Sequence, residues 1–139
     1  MIEYGYRSGD EFSLSEISDA CFEGMERVPL GFFDNEDVLV WKCYTLTQGT
    51  IGFAAVKLSE RTLYYIAIRP AMQKFGYGAE LLNAVVTDLR QRGIQHLWLT
   101  VREDNPAQML YFKHGFRVRD VLPDYYGPDM YGVRMRKTL

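Results

Sequence analysis

The apolar positions change period along the chain, and the changes mark its elements. Residues 38–47 are rich in β-branched and aromatic side chains (Val38, Val40, Trp41, Tyr44, Thr45), the composition of a strand. Residues 50–58 and 62–68 repeat it, separated by the turn-forming Gln48-Gly49 and Ser59-Glu60-Arg61, so an antiparallel meander is expected. The period then lengthens. Leu81, Leu82, Val85, Val86 and Leu89 fall on one helical face, with Arg90 and Arg92 suited to the C-terminal end and Gly93 able to close it. Leu97, Leu99 and Val101 alternate with His96, Trp98, Thr100 and Arg102, the period of a strand. Asn105-Pro106 predicts a helix start, a capping side chain followed by proline at the first helical position, with an end near His114-Gly115. Residues 116–121 and 130–137 read as the last two strands. Ahead of the meander, residues 2–7 read as a short strand, and Ser13-x-x-Glu16 has the form of a capping box, predicting a helix from there toward Phe22. Residues 23–37, with Pro29, Gly31 and the acidic Asp34, Glu36 and Asp37, are expected to form a short helix plus loop. The pattern is α+β: a mixed, mostly antiparallel central sheet flanked by helices.

Length and composition narrow the possibilities without choosing among them. The 139 residues fit one domain, residues 1–139, large enough to bury a core without a metal or disulfide staple. A net charge of -2 argues against a nucleic-acid groove or an anionic membrane as a bulk partner. Cys21 and Cys43 form no C-x-x-C, and His96 and His114 stand far apart, so no metal site is expected. No signal-like N-terminus and no bilayer-length apolar run is visible, and reduced thiols suit a cytoplasmic protein.

The segment that carries chemistry is Gln73-Lys74-Phe75-Gly76-Tyr77-Gly78-Ala79, a Q-x-x-G-x-G between a strand and the long helix. A helix's first turn leaves backbone N–H groups unpaired at the positive end of its dipole, and glycines let an anion approach them. The loop is therefore expected to cradle a diphosphate, unless it is a plain glycine turn into a core helix. It is not a Walker loop, which needs G-x-x-x-x-G-K-[ST]. Nor is it a dinucleotide fingerprint, because Leu81 stands at the third glycine and a meander precedes the loop.

The run Ile66-Ala67-Ile68-Arg69-Pro70, then Q-x-x-G-x-G, then an amphipathic helix, resembles the acetyl-CoA motif of the GNAT superfamily of N-acetyltransferases. A second motif follows at the family's spacing. Residues 105–116, from Asn105 through Ala107-x-x-Leu110-Tyr111 to Gly115-Phe116, are similar to the family's N-x-x-A-x-x-L-Y-x-x-x-G-F, with one residue fewer between the Asn and the Ala. The resemblance covers about residue 38 to the last residue. It implies acetyl-CoA as co-substrate, held by Ile66, Ala67, Ile68, Gln73, Lys74, Phe75, Gly76, Tyr77, Gly78, Ala79, Asn105, Tyr111 and Lys113. Backbone groups of Ile66 and Ile68 would pair with the pantetheine arm, and those of Gly76 to Ala79 with the diphosphate. Tyr111 would protonate the leaving thiolate, against the alternative of an aromatic side chain packing beside Phe116.

The acceptor and the base are left more open. Relatives in the ribosomal-protein and N-terminal acetyltransferase branches often carry Glu or His where this chain has Thr100, which cannot be a base. Glu23 and Glu26 lie in the segment that usually walls the acceptor site and are the candidate bases, against a solvated helix face. Base catalysis through water, or none, is also open. Residues 124–135 are similar to the Y-Y segment of protein N-terminal acetyltransferases, which makes Tyr125 and Tyr126 candidate clamps on a peptide N-terminus, with Phe32 and Phe33 as the opposite wall. A small amine (polyamine, amino acid or aminoglycoside) is the alternative acceptor, and a non-catalytic acyl-CoA-binding module the alternative function. A monomer or a homodimer is expected, with no nucleic acid and no membrane.

Overall fold

The computed structural model describes residues 1–22, 27–29 and 31–139. Glu23 and Glu26, the two candidate bases, lie outside the described residues. The chain divides into two compact units, Met1–Asp88 and Leu89–Leu139.

In the first unit, β1 (Ile2–Tyr4), β2 (Val38–Thr45), β3 (Gly49–Lys57) and β4 (Thr62–Ile68) lie side by side in chain order, each antiparallel to the next. The expected meander is present. The first strand stops at Tyr4 rather than residue 7, because Gly5 turns the chain with φ 120°.

Helix α1 (Glu11–Cys21) begins two residues before the expected capping box. A 3-10 turn at Ser8–Asp10 precedes it, and the Arg7 N–H donates to the Asp10 carboxylate at 2.8 Å. That contact fixes the entry one turn early and leaves Ser13 inside the helix. Leu14 and Ile17 of α1 are fully buried and pack with Phe33, Val38, Val40, Phe53, Ala55 and Ala67. Fully burying such a side chain contributes roughly 1.5–3 kcal/mol. Ser18 of α1, also buried, accepts the Val28 N–H at 2.9 Å and so ties the segment after the helix back to it.

The long helix α2 (Tyr77–Gln91) buries the apolar face read from its period, Leu81, Leu82, Val85, Val86 and Leu89. Within the first unit its Asp88 accepts the indole N–H of the fully buried Trp41 at 2.6 Å, which pins the helix to β2. Gly93, with φ 81°, closes the helix: its N–H reaches the Arg90 carbonyl while the Ile94 N–H reaches Leu89. These are the paired bonds of a Schellman end.

In the second unit the strands β5 (His96–Arg102), β6 (Arg117–Leu122) and β7 (Gly132–Thr138) lie in the order β5-β7-β6, again antiparallel. Leu97, Leu99 and Val101 of β5 are buried with Val133 and Met135 of β7, as the alternation requires. Helix α3 (Gln108–Lys113) starts later than Asn105-Pro106 suggests. Asn105 instead closes its own turn, accepting the Ala107 N–H on its side-chain oxygen at 2.8 Å. Among the described residues, no helix is long and apolar enough to cross a membrane, and no cluster of His, Cys, Asp or Glu could hold a metal ion.

Candidate functional site

In the first unit the site is built where β4 runs into α2. Gly52 of β3 stands opposite Ile68, and a Cβ there would lie 2.4 Å from the Ile68 side chain and 2.6 Å from the Ala67 carbonyl oxygen. Only a glycine lets β3 and the end of β4 approach this closely. The Ile68 carbonyl then accepts two side chains, Gln73 Nε2 at 2.9 Å and the Cys21 thiol at 3.2 Å. Gln73, expected beside the diphosphate, is thus a brace that folds the loop back onto β4. Burial raises the Cys21 thiol, and the opposing pull of Arg69 and of the Ile68 carbonyl does not cancel it.

Beyond Gln73 the backbone alternates in hand. Lys74 takes φ 70° and Gly76 φ 87°, and α2 opens at Tyr77. Alternation of this kind turns successive N–H groups inward as an anion-binding nest. The Gly76 carbonyl accepts the Glu80 N–H, while the N–H groups of the helix's first turn have no intrahelical acceptor. A Cβ at Gly76 would meet nothing within 4 Å, so the space in front of the turn is open. Lys74 is exposed, and Phe75, 70% exposed, inclines toward Tyr77. The donor set and the open approach fit a diphosphate.

The candidate acceptor wall in this unit separates into two roles. Phe33 is 7% exposed, stacked on Tyr6 and edge-on to Phe53, and is a core side chain. Phe32 is half-buried and packs against Tyr64 and Tyr65 of β4. The sequence reading did not single out those two tyrosines.

In the second unit Tyr111 is 6% exposed on α3, edge-on to Phe116 at 5.8 Å. Burial first, and the neighbouring Tyr126 second, hold its phenol well above the ordinary range, so it stays protonated. Tyr126 donates its hydroxyl to the Thr100 carbonyl at 3.2 Å, and its ring meets Tyr125 at 4.9 Å. Tyr111, Tyr126 and Thr100 are thereby brought together, whereas Tyr125 is 57% exposed. The tyrosine loop is braced by its own backbone. The Tyr126 N–H reaches Met130, the Asp129 N–H reaches the Asp124 carboxylate, and Asp124 and Asp129 both take positive φ. Asn105 and Lys113 are exposed. A small depression lined by Arg102, Glu103, Asp104, Asp129, Met130 and Tyr131 contains none of the expected site residues.

Comparison with known proteins gives the arrangement a family. The model of the acetyltransferase (GNAT) family matches residues 12–116. The [ribosomal protein bS18]-alanine N-acetyltransferase of Haemophilus influenzae is 46% identical over 78 residues, 55% of this chain and 53% of that protein. The chain thus aligns with about half the length of that relative. Among solved structures, the ribosomal-protein-S18-alanine N-acetyltransferase of Escherichia coli superposes with a TM-score of 0.87 at 24% identity, over 99% of this chain and 94% of that one. An aminoglycoside 6'-N-acetyltransferase complexed with coenzyme A superposes with a TM-score of 0.84 at 15% identity, over 99% and 96%. At these identities the structural likeness establishes the α+β fold. With a family match spanning most of its length, the chain belongs to the acetyltransferase (GNAT) family.

Proposed function

We propose that residues 1–139 act as a single N-acetyltransferase domain that moves the acetyl group of acetyl-CoA to a primary amine, the N-terminus of a peptide or protein. The observation that carries this reading is the pair of left-handed residues, Lys74 and Gly76, placed between β4 and the first turn of α2. There the backbone offers a concavity for a diphosphate at the end of the motif that the family uses for acetyl-CoA. Gly76, Tyr77, Gly78 and Ala79 present backbone N–H groups, Lys74 adds charge, and Ile66, Ala67 and Ile68 take the pantetheine arm.

The thioester supplies an activated acetyl carbon, and the acceptor amine is itself the nucleophile. The amine nitrogen bonds to that carbon, the carbon–sulfur bond breaks, and the thiolate takes the Tyr111 proton. Thr100 has no basic side chain, so the amine loses its first proton to water or to Glu23 or Glu26, and the second, released as the amide forms, returns through water to the Tyr111 phenolate. A phenol above its ordinary range is a reluctant donor. The burial that raises Tyr111 also raises a thiolate brought beside it, so the transfer is less uphill than the values in water suggest. Tyr125, exposed, offers its hydroxyl to a peptide carbonyl, its ring placed by Tyr126, which is itself bonded to the Thr100 carbonyl. A bS18-like N-terminus is the favoured acceptor, by analogy with what the relatives are named for. The free thiols of Cys21 and Cys43 suit a reducing, cytoplasmic setting.

The test is thiol release from acetyl-CoA against free-N-terminus peptides, N-blocked lysine peptides and small amines. Release with the first group is expected, and Tyr111→Phe should lower kcat by about 100-fold, the lower end of general-acid effects, while binding acetyl-CoA as before. Release with small amines alone would move the acceptor to that class and leave the tyrosine loop a packing feature.

A further inference from the structure

Strict alternation along β4 would send Tyr64 and Tyr65 to opposite faces of the sheet. Both rings nevertheless reach Phe32, at centroid distances of 5.8 and 5.2 Å. The cause is a bulge. Ala55 of β3 faces Tyr65 while the next residue, Val56, faces Leu63, so Tyr64 is the extra residue. A bulge breaks the alternation and re-aims side chains. The two tyrosine rings lie 6.3 Å apart, and Phe22 closes on Tyr65 at 5.8 Å. The result is one continuous aromatic wall, built from three separate segments and centred on Tyr65.

The wall stands at a particular place along β4. The strand runs directly into the diphosphate loop, so an arm lying along Ile66–Ile68 carries its reactive end away from that loop, toward Tyr65. Tyr65 packs on the same side as α1 and Phe33, beside the core cluster that contains Ala67. It is half-buried, burial raises its phenol, and among the described residues its hydroxyl has no hydrogen-bond partner. A protonated donor with no protein partner among the described residues, only partly buried and held by three rings, is placed to meet a ligand.

Resting on the function proposed above, we propose that Tyr65, backed by Tyr64, Phe22 and Phe32, receives the first residue of the acceptor peptide and limits it to a small side chain. The phenol donates to the acceptor's first carbonyl, and the edge-packed rings fill the space that a larger side chain would need.

Three proteins and one peptide series test this. Wild type, Tyr65→Phe and Tyr65→Val are compared on peptides that differ only in a first residue of Ala, Ser, Leu or Phe, with acetyl-CoA binding and thermal melting as controls for folding. Wild type should favour Ala and Ser. Tyr65→Val, which suits a strand, should raise the Leu-to-Ala ratio of kcat/KM by about tenfold or more, the scale at which pocket volume discriminates. Tyr65→Phe should keep the ratio and raise KM for every peptide. An unchanged ratio in a folded Tyr65→Val that binds acetyl-CoA overturns the assignment. If Tyr65→Val does not fold, an unchanged KM in Tyr65→Phe overturns it instead. Wild-type release with small amines and no peptide would bring down the underlying function, and is distinguishable because it appears before any substitution.

Discussion

At the scale of single residues, the site depends on atoms that are missing as much as on those present. Gly52 is not at a turn and has no unusual dihedral to advertise it, yet a methyl group there would press on the Ala67 carbonyl and the Ile68 backbone. Neither can swing aside as a flexible side chain could. Gly52→Ala is therefore expected to destabilise the protein by about 1–3 kcal/mol, the usual penalty of overpacking. It should also weaken acetyl-CoA binding, since the displaced residues are those proposed to take the pantetheine arm. Calorimetric titration with acetyl-CoA, alongside denaturant melts, separates the two effects; unchanged affinity would detach Ala67 and Ile68 from the arm. Thr100 illustrates the opposite case. Its side chain brings no base, while its backbone carbonyl is engaged by Tyr126, so it contributes through the strand rather than through chemistry.

At the scale of elements, the loop before α2 was legible because its signal is local. Q-x-x-G-x-G after a strand of β-branched residues names both the turn and the helix it opens, and β4 spans the residues expected of it. Gly76 should be the sensitive position. An added Cβ has room but must adopt φ 87°, which costs an L-residue about 1–2 kcal/mol. That methyl would also project into the open approach to the helix N-terminus. Gly76→Ala should accordingly raise KM for acetyl-CoA about tenfold while the acceptor KM holds, a ratio equal to roughly 1.4 kcal/mol; steady-state kinetics with each substrate varied in turn is the check. What the sequence hid was non-local or depended on register. The start of α1 moved because an Arg7 amide and the Asp10 carboxylate met one turn before the S-x-x-E box. The Trp41–Asp88 bond joins residues 47 apart. The aromatic wall was not legible because composition marks residues 62–68 as a strand without saying which face each side chain takes, and nothing in Thr62–Ile68 announces the bulge that turns Tyr64 beside Tyr65.

At the scale of the whole molecule, the perturbed ionisable groups set opposite limits on stability against pH. Asp10 is pushed up by burial, but its hydrogen bond to the Lys42 ammonium and the Arg7 N–H outweigh this and leave its carboxyl below the ordinary 3.8. A folded value below the unfolded one stabilises above that range and is lost as pH falls through the folded value. The pair is inside the first unit, where Lys42 is 7% exposed and also meets Glu3 at 3.3 Å. Asp10→Asn should cost about 1–3 kcal/mol near neutral pH, as for a charged hydrogen bond left unmade, and converge with wild type in strong acid. Tyr6, Tyr65 and Tyr111 are raised above 10.0, and Cys21 and Cys43 above 9.0, in each case chiefly by burial. Here the sign reverses. Folded values above the unfolded ones give stability that is complete below about pH 9 and is lost as pH rises through the folded values. Tyr111 is the group held highest. Its replacement by Phe removes a proton that the unfolded chain releases first, so Tyr111→Phe should lose stability more slowly than wild type as the pH climbs past about 10. Denaturant midpoints measured across that range test the burial itself, independently of catalysis. Parallel slopes for the two proteins would mean that the Tyr111 phenol reaches solvent, and would remove the reason for its staying protonated until it meets the thiolate it is proposed to protonate.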